Sequence, residues 1–369
     1  MLALAVARPA WAGDPPSVSA SYITDVIGNA SGGVERGVDW IGRLDLTVAS
    51  GDRLFGIDGA HAQFDMMLLH GGGFSAVRTG DGQVLDNIDA PHAVRPFEAW
   101  ISVPLTPRLR AKAGLVDLNS EFDPQNVGTL FLNSSFGIGP DLSQAGLDGP
   151  SIFPVTAPGM VLAYEPAGWS ARLGVFDALA GDPEHLHRVF PDSFGRHGAL
   201  VIGQASALIG PVVQAYAGAW AFTDPLPRID APGEARSAGG YVEIEARLLD
   251  DGPTRALKAW VRAGKATERA NPIGTYVGGG FTWGGDRRMA GIAVARAILG
   301  DPAWRAGQPA VPAPYRAETA WEITARERMG RGLFLQPDMQ YIVHPGWAPS
   351  VGNALVLALR LQWNWLGGH

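Results

Sequence analysis

Residues 355–365 of the chain, LVLALRLQWNW, alternate strictly between two kinds of side chain. The odd positions are leucine and tryptophan, whereas the even positions include Arg360, Gln362 and Asn364. A period of two residues is typical of a β-strand, because successive side chains of a strand point to opposite faces. The segment therefore predicts a strand with one fully apolar face.

The same alternation recurs from about residue 17 to the end of the chain. In residues 240–249, for example, Val242 and Ile244 alternate with Glu243 and Glu245. Sixteen such segments are centred near residues 23, 44, 65, 99, 112, 162, 173, 204, 217, 244, 259, 278, 292, 322, 337 and 359. Most of them are long enough to cross a bilayer as tilted strands, which requires about 9 to 11 residues.

The connections between these segments alternate in length. Short ones occupy residues 105–107, 165–168, 209–211, 250–254, 283–286 and 329–332, and long ones occupy residues 71–92, 119–158, 178–197, 223–237 and 298–315. Short turns at one rim and long loops at the other are typical of outer-membrane barrels. The sequence thus predicts an all-β fold, a transmembrane antiparallel β-barrel of about 16 strands with short periplasmic turns and long extracellular loops.

A closed barrel explains why polar side chains face inward. In hydrocarbon every backbone N–H and C=O needs an internal partner, so strands span a membrane only as a sheet without edges. A barrel of about 16 strands encloses an aqueous channel in which charged side chains stay hydrated. We expect residues 13–369 to form this single barrel domain.

Composition excludes several other classes of protein. The chain has 369 residues and a formal charge of −7, from 29 basic and 36 acidic side chains, which excludes a basic nucleic-acid binder. The absence of cysteine excludes disulfides, cysteine-ligated metals and a cysteine nucleophile. No uninterrupted apolar run reaches 18 residues, so no transmembrane helix is predicted.

The first residues are typical of an export signal. Residues 2–12 are mostly apolar and end in Ala10-Trp11-Ala12, the pattern of small residues that signal peptidase reads. We interpret residues 1–12 as the remnant of a signal peptide, the alternative being an Ala-rich disordered N-terminus. Export without disulfides favours a bacterial envelope.

Several blocks of sequence carry a resemblance to a known family. They include YITDVIGNASGG at 22–33, GRLDLT at 42–47, HGGG at 70–73, GDGQ at 80–83, NIDA at 87–90, LNSEF at 118–122, LFLNSSFG at 130–137, FPVTAPG at 153–159, LQPDMQYIVHPG at 335–346 and NALVLALRL at 353–361. Taken in order, they resemble the carbohydrate-selective porins of the OprB family over nearly the whole mature chain. One departure is that four residues follow Trp365, whereas members of the family usually end on an aromatic residue.

The resemblance implies a channel in the bacterial outer membrane for passive diffusion of monosaccharides such as glucose and of other small carbohydrates. It also implies contact with outer-membrane lipid and lipopolysaccharide, and either a monomer or a homotrimer. No enzymatic activity, cofactor, metal or nucleic-acid partner is expected.

The charges on the inferred inward faces are nearly balanced. The basic ones are Arg43, Arg108, Arg110, Lys112, Arg247, Lys258, Arg262, Arg326 and Arg360, and the acidic ones are Asp45, Glu98, Glu243, Glu245, Glu318, Glu322 and Asp338. A strongly ion-selective pore would show a ring of one sign. A mixed lining offers donors and acceptors to a neutral, hydroxyl-rich solute.

The longest loop, residues 119–158, is expected to fold into the lumen and to form the constriction, since loops of this length are usually functional. At its start Asp117, Asn119 and Glu121 alternate. The predicted pore and sugar-contact residues are Arg43, Asp45, Glu98, Arg108, Arg110, Asp117, Asn119, Glu121, Phe131 and Phe136. The phenyl rings, with those of Phe153 and Trp260, are expected to stack on sugars. The alternative is that the charges form ordinary salt bridges between strands.

Other interpretations rest on weaker patterns. In the run Glu184-His185-Leu186-His187, two imidazoles are candidate metal ligands, but their spacing is common by chance. Asp81, Asp86 and Asp89 are a candidate calcium site, although they do not have the spacing of an EF-hand. The alternative functions are a general or weakly ion-selective porin of the same architecture, and a soluble all-β sugar-binding protein or glycosidase.

Overall fold

A computed structural model describes residues 16–181, 188–190, 194–250, 255–308 and 313–366. The predicted signal remnant at residues 1–12 lies outside these ranges. The strands are β1 (Ser17–Gly33), β2 (Gly37–Ala49), β3 (Arg53–Leu54), β4 (Ile57–Asp58), β5 (His61–His70), β6 (Ala93–Thr106), β7 (Leu109–Val116), β8 (Ala157–Tyr164), β9 (Trp169–Asp177), β10 (Ala199–Ile209), β11 (Val213–Phe222), β12 (Leu226–Pro227), β13 (Glu234–Ala235), β14 (Ala238–Asp250), β15 (Ala256–Ala266), β16 (Ile273–Gly284), β17 (Arg288–Leu299), β18 (Ala317–Arg328), β19 (Leu333–Val343) and β20 (Gly352–Leu366).

Sixteen of these strands form one closed antiparallel barrel, in which each strand pairs with the next along the chain. Strand β20 closes the barrel on β1, with Ser19 opposite Leu366 and Asp25 opposite Arg360. The short pairs β3–β4 and β12–β13 form two small separate sheets. The predicted fold class is therefore confirmed.

The alternation along each strand places apolar side chains on the outer surface. On β20, Leu357 and Leu359 are 50% and 46% exposed, whereas Arg360 between Leu359 and Leu361 is 6% exposed. This inside-out burial is what a lipid-facing belt around a polar interior requires. Among the described residues, no helix combines the length and apolar content that crossing a bilayer demands.

The two rims of the barrel differ in the lengths of their connections. We call them the long-loop rim, where β5 and β6 are joined by residues 71–92, and the short-turn rim, where β6 and β7 are joined by residues 107–108. The connection at 50–60 is longer than the pattern predicts for the short-turn rim, since it holds the β3–β4 hairpin. Its turn is made possible by Gly56 and Gly59, both at positive φ.

Two loops of the long-loop rim contribute to the interior of the barrel. Loop A, residues 71–92, contains a five-residue π-helix at Ser75–Thr79. Loop B, residues 117–156, contains 3₁₀ turns at Leu118–Ser120, Gly128–Leu130 and Ser134–Phe136 and the helix α1 at Pro140–Ser143. Side chains of both loops pack with inward-facing wall residues in one apolar cluster.

The remaining helical segments lie at the same rim. They are α2 at Asp301–Gly307 and a 3₁₀ turn at Pro345–Trp347. Since loops A and B are the ones packed against the inner wall, they determine which part of that wall faces water.

Candidate channel constriction

Loop B extends from the end of β7 to the start of β8. Its bounds, 117–156, are shifted by two residues toward the N-terminus from the predicted 119–158. The loop is braced by its own polar side chains. Asp117 accepts a hydrogen bond from the Asn119 N–H at 2.9 Å, and Asn133 accepts one from the Ser135 N–H at 3.0 Å. These contacts cap the 3₁₀ turns and satisfy donors that the short helical segments leave unpaired.

Arg262 on β15 is the central anchor of loop B. Its guanidinium is fully buried and forms ion pairs with Asp123, at 2.9 Å, and with Asp141. It also lies over the rings of Tyr241 and Tyr276, 5.0 and 5.3 Å from their centroids. Since Gly264 lacks a Cβ, the Asp141 carboxylate can approach the wall at this point.

Wall carboxylates accept further hydrogen bonds from the backbone of loop B. Glu245 accepts one from the Val127 N–H at 2.8 Å. Glu322 accepts bonds from the N–H groups of Leu132 and Asn133 at 2.6 and 2.9 Å. Charge-assisted bonds of this kind are stronger than neutral ones, so they hold the loop against β14 and β18.

Loop A covers the neighbouring part of the wall in the same way. Glu318 on β18 accepts a hydrogen bond from the Gly82 N–H at 2.8 Å. Arg360 on β20 pairs with Asp25 at 2.7 Å and with Asp86 of the loop at 2.9 Å. Together the two loops cover inward residues of β14, β15, β18 and β20 and reach β1.

This arrangement corrects the predicted lining. Arg262, Glu243, Glu245, Glu318, Glu322, Asp338 and Arg360 do point inward, but each is at most 6% exposed because a loop covers it. They anchor or lie beneath the loops and are not in contact with the water of a channel. The balance of charge counted from the sequence therefore does not describe the open lumen.

Toward the short-turn rim the inner wall stays uncovered at Arg247, Lys258 and Arg326, which are half-buried as the predicted lining implies. Beside the root of loop B, the uncovered part of the wall lies on β2 and β5 to β9. We call its charged residues, together with Glu121 of loop B, the constriction strip: Arg43, Asp45, Glu98, Lys112, Glu121 and Arg172. Five of these six side chains, all except Glu98, are 13% to 19% exposed, as expected for groups that border a narrow water-filled passage.

The ion pairs of the constriction strip run around the wall. Arg43 pairs with Asp45 at 2.8 Å, Lys112 pairs with Glu121, and Arg172 lies 3.6 Å from the same Glu121 carboxylate. Loop B therefore supplies one carboxylate to a wall that holds all three cations of the strip.

Glu98 connects the strip to the root of loop B. Its carboxylate accepts hydrogen bonds from the Gln63 side chain at 3.0 Å and from the Asp117 N–H at 3.2 Å. The passage at this level is consequently lined by donors and acceptors in alternation.

Aromatic rings lie behind the cations of the strip. The Arg43 guanidinium is 4.7 Å from the centroid of Phe97 and 4.9 Å from that of Phe153. The Lys112 ammonium is 4.2 Å from the centroid of Trp100. These cation–π contacts fix the long basic side chains against the wall.

Burial shifts the pKa of Asp117, at the start of loop B. The pKa of Asp117 is raised to about 6, chiefly because burial disfavours its charged form, although the Asn119 N–H and the cations Arg43 and Lys112 act in the opposite direction.

The structure brings together five of the residues selected from the sequence and places the others elsewhere. Arg43, Asp45, Glu98, Asp117 and Glu121 lie along the uncovered wall and the adjoining root of loop B. Asn119 donates hydrogen bonds to the backbone carbonyls of Phe122, Asp123 and Gly137 at 3.1 to 3.2 Å, so it braces loop B.

The two other arginines lie toward the short-turn rim. Arg108 is an exposed residue of the turn between β6 and β7. Arg110 donates to the Gly59 carbonyl at 2.9 Å and to the Ser102 hydroxyl at 3.2 Å. Neither is among the ion-paired residues of the constriction strip.

The predicted aromatic contacts at Phe131 and Phe136 need correction. These rings are 1% and 0% exposed, and they pack on each other and on Trp260 at centroid distances of 5.2 to 5.9 Å. They form the apolar underside of loop B, because a loop folded onto the wall needs its own core. Phe153, in contrast, is only partly buried and lies beside Arg43.

The sequence interpretation also missed site residues. Phe97, Trp100, Lys112 and Arg172 were not selected as contact residues. A register shift between Asp65 opposite Glu98 and Met66 opposite Pro96 marks a β-bulge, which interrupts the alternation on β6. In the segment VRPFEAW at 94–100, the alternation of inward and outward residues therefore changes phase after Phe97.

No group of three or more His, Asp or Glu side chains among the described residues is arranged to hold a metal ion. The candidates Glu184, His185 and His187 lie outside the described residues. Asp89, from the acidic group of loop A, accepts hydrogen bonds from the N–H groups of Gly73, Phe74 and Ser75 and so caps the π-helix.

Comparison with solved structures supports this architecture. Pseudomonas putida OprB at high pH superposes with a TM-score of 0.83 at 18% sequence identity, over 95% of this chain and 94% of that chain. The low-pH structure of the same protein gives a TM-score of 0.60 at 13% identity, over 95% and 93% of the chains. A mutant of Rh. blastica porin gives 0.58 at 13% identity, over 95% and 100%.

Comparison of sequences identifies the family. No curated protein sequence matches this chain. The model of the carbohydrate-selective porins, OprB family, matches residues 42–365, which include every strand of the barrel except β1, the start of β2 and the last residue of β20. Porins are outer-membrane channels and not enzymes, and small carbohydrates are the substrates that this family's description indicates. Together with the closed barrel, this match shows that the chain belongs to the carbohydrate-selective porins of the OprB family.

Proposed function

We propose that the protein lets small neutral carbohydrates such as glucose diffuse passively across the bacterial outer membrane, between loop B and the uncovered wall. The observation that carries the proposal is the constriction strip, in which cations and carboxylates alternate beside aromatic rings. A sugar that enters exchanges water for protein donors and acceptors at one level of the channel.

The chemistry of the strip suits a transient contact. Carboxylates such as Asp45 accept hydrogen bonds from sugar hydroxyls, and Arg43 and Lys112 donate to them. The partly exposed ring of Phe153 offers an apolar surface to the carbon face of the sugar. Since transport requires release as well as entry, each contact has to be weak.

The proposed contact set differs from the one selected on sequence alone. It keeps Arg43, Asp45, Glu98, Asp117 and Glu121. It replaces Arg108, Arg110, Asn119, Phe131 and Phe136 with three residues that border the passage, namely Lys112, Arg172 and Phe153. Phe97 and Trp100 are buried and lie behind the cations.

The first prediction concerns Arg43. We expect Arg43→Ala to weaken the block of single-channel ion current by glucose at least tenfold, since it removes a charged donor whose hydrogen bond contributes roughly 1.5 to 3 kcal/mol. The measurement is a titration of glucose against the current of the purified protein in a planar bilayer.

The matched control is Arg108→Ala, which removes an exposed arginine from the short turn. Its glucose titration should match that of the unsubstituted protein. If both variants titrate alike, or if glucose leaves the current of the unsubstituted protein unchanged, the proposed sugar contact is wrong.

A weakly cation-selective general porin is the second candidate function. The observation that favours it is an excess of carboxylates at the constriction, where Asp45, Asp65, Glu98, Asp117 and Glu121 lie with Arg43, Lys112 and Arg172. The reversal potential in a salt gradient separates the two candidates. A marked cation preference without any block by glucose would favour the general porin.

A further inference from the structure

Below the level of loop B, the inner wall of β14 to β18 is basic at the short-turn rim. Inward-facing positions near the ends of these strands hold Arg247, Lys258, Arg326 and Arg328. The inward carboxylates of β14, β18 and β19 lie farther from this rim and are at most 5% exposed, namely Glu243, Glu245, Glu318, Glu322 and Asp338. This mouth of the channel therefore differs in charge from the constriction strip, which carries both signs.

Arg326 and Arg328 form the densest part of the basic surface. They are two residues apart on β18, so their side chains leave the same face of the strand. Both guanidiniums lie against the ring of Phe334 on β19, 5.4 and 5.6 Å from its centroid. These cation–π contacts hold the two side chains in place before any ligand arrives.

The acidic residues near this arginine pair are engaged elsewhere or lie beyond ion-pair distance. Glu327 points outward and pairs with Arg288 at 2.6 Å. Asp286, exposed in the turn between β16 and β17, acts on Arg326 electrostatically without forming an ion pair. Among the described residues, neither Arg326 nor Arg328 is ion-paired. Two like charges held against one ring repel each other, and an anion bound to both removes this repulsion.

Neutral polar groups stand beside the arginine pair. Gln362 on β20 is directly opposite Phe334 and is half-buried. Its amide donates to the side-chain oxygen of Asn364 at 3.2 Å, and the Ser21 hydroxyl donates to the same oxygen at 2.9 Å. Within the described part of the chain, the side-chain oxygen of Gln362 and the amide nitrogen of Asn364 have no further partner, so both are available to a solute.

The spacing of these groups fits one small acidic sugar. Arg328, Phe334 and Gln362 are neighbours across β18, β19 and β20, so about 10 Å separates the backbone of the arginines from that of the amides. Side chains that extend from both strands can therefore contact one monosaccharide. Guanidiniums bind carboxylates through charge-assisted hydrogen bonds, and carboxamides exchange neutral hydrogen bonds with hydroxyls.

We propose that this group of residues, the mouth site, binds acidic monosaccharides of the hexuronate type. The sugar carboxylate pairs with Arg326 and Arg328, and the sugar hydroxyls bind Gln362 and Asn364. Lys258, on the same basic surface, raises the local concentration of such anions. The inference rests on the proposed function, because only a channel that carries sugars presents them to this mouth. It adds a charged class of solute to the neutral sugars of the constriction.

The test measures binding of D-glucuronate to the detergent-purified full-length protein by saturation-transfer NMR titration at low salt. The test variant combines R326Q and R328Q. The matched control combines R255Q and R288Q, two arginines on the outer face of the same rim, where Arg255 lies over Trp283. We expect the control to bind glucuronate like the unsubstituted protein and the test variant to bind it at least tenfold more weakly, because charge-assisted hydrogen bonds are lost.

Two further arms examine which part of the ligand is recognised. Gln362→Ala should weaken glucuronate binding about threefold, since it removes a neutral hydrogen bond to the sugar. Acetate at the same concentration should not displace glucuronate from the unsubstituted protein. Undiminished glucuronate binding by the test variant or by Gln362→Ala, an equal loss in the control, or displacement by acetate would each overturn the proposal.

Titrations with glucose separate this inference from the proposed function. The test variant should bind glucose normally, because the constriction strip is unchanged. If glucuronate binding depends on the arginine pair while glucose binds none of the proteins, the mouth site stands and the proposal for neutral sugars fails. Loss of both ligands in the test variant would overturn a separate mouth site.

Discussion

Asp117 stands where β7 ends and loop B begins, and it links the loop to the wall. Its N–H donates to Glu98, while its carboxylate caps the following 3₁₀ turn. Because burial raises the pKa of Asp117 to about 6, the group is ionised at neutral pH and becomes neutral in mildly acidic medium.

The second prediction follows from this pKa. When the pH falls from about 8 to about 5, Asp117 gains a proton and the constriction loses one negative charge, so the preference for cations over anions should decrease. We expect Asp117→Asn to lower the cation preference at pH 8 and to reduce its change with pH. Reversal potentials in a salt gradient give both quantities.

Asp58 provides the control for this measurement. It lies in the exposed β3–β4 hairpin of the short-turn rim, and its side chain is 87% exposed. Asp58→Asn should leave the pH dependence unchanged. An unaltered pH dependence in Asp117→Asn would show that Asp117 does not titrate at the constriction.

At the scale of elements, the fixed position of loop B depends on its contacts with β14, β15 and β18. Arg262 supplies the positive charge of this interface, since two fully buried carboxylates share its guanidinium. A buried charge that loses its partner is costly, because neither water nor an opposite charge compensates it.

The third prediction is that Arg262→Met detaches part of loop B. Asp123 and Asp141 would remain buried without a cation, at a cost of about 3 to 5 kcal/mol, so the loop should move into the lumen or away from the wall. We expect an altered single-channel conductance and cleavage of loop B by added protease.

The triple substitution Arg262→Met, Asp123→Asn and Asp141→Asn removes all the charges together and should recover part of the protease resistance. If Arg262→Met alone keeps the normal conductance and resists protease, Arg262 is not the anchor of the loop.

The strands were predictable from the sequence, whereas the part of the inner wall that the loops cover was not. Alternation is a local property, so the apolar residues of β20 and the acidic residues of β14 identify both faces of each strand. Arg262 and Arg43 both read as inward residues, but only the fold of loop B decides that Arg262 is covered and Arg43 faces the passage. That decision depends on contacts between residues more than a hundred positions apart.

Loop B illustrates the same limit. Its length predicted a functional role, yet nothing local in LFLNSSFG at 130–137 distinguishes a ring that faces sugar from one that faces the wall. Phe131 and Phe136 prove to be the core of the loop. On β6, the bulge at Phe97 shifts the alternation, so Phe97 was not recognised as an inward residue next to Glu98.

At the scale of the whole molecule, the outer belt determines how the barrel is solvated. Leu359 lies midway along β20, is 46% exposed, and has Val26 and Pro337 as its neighbours across the two adjoining strands. Such a position is expected to face the hydrocarbon near its centre.

The fourth prediction concerns this belt. Leu359→Arg should destabilise the folded barrel in lipid vesicles by about 2 to 4 kcal/mol, the cost of placing arginine near the bilayer midplane. Denaturant titration of the protein in vesicles measures the free energy of unfolding. Leu359→Ala is the control and should cost clearly less, and equal stability of the arginine variant would contradict a lipid-facing position.

The pairing of β20 with both β19 and β1 has a consequence for biogenesis. Until the last strand has been synthesised and delivered, β1 carries a row of unsatisfied backbone donors and acceptors along Ser19–Asn29, which a foreign strand can capture. The contact that removes this hazard joins opposite ends of the polypeptide and is therefore slow to form unaided. The barrel of this porin is therefore complete only when its last strand arrives, and the outer edge of the first strand has to stay unpaired until then.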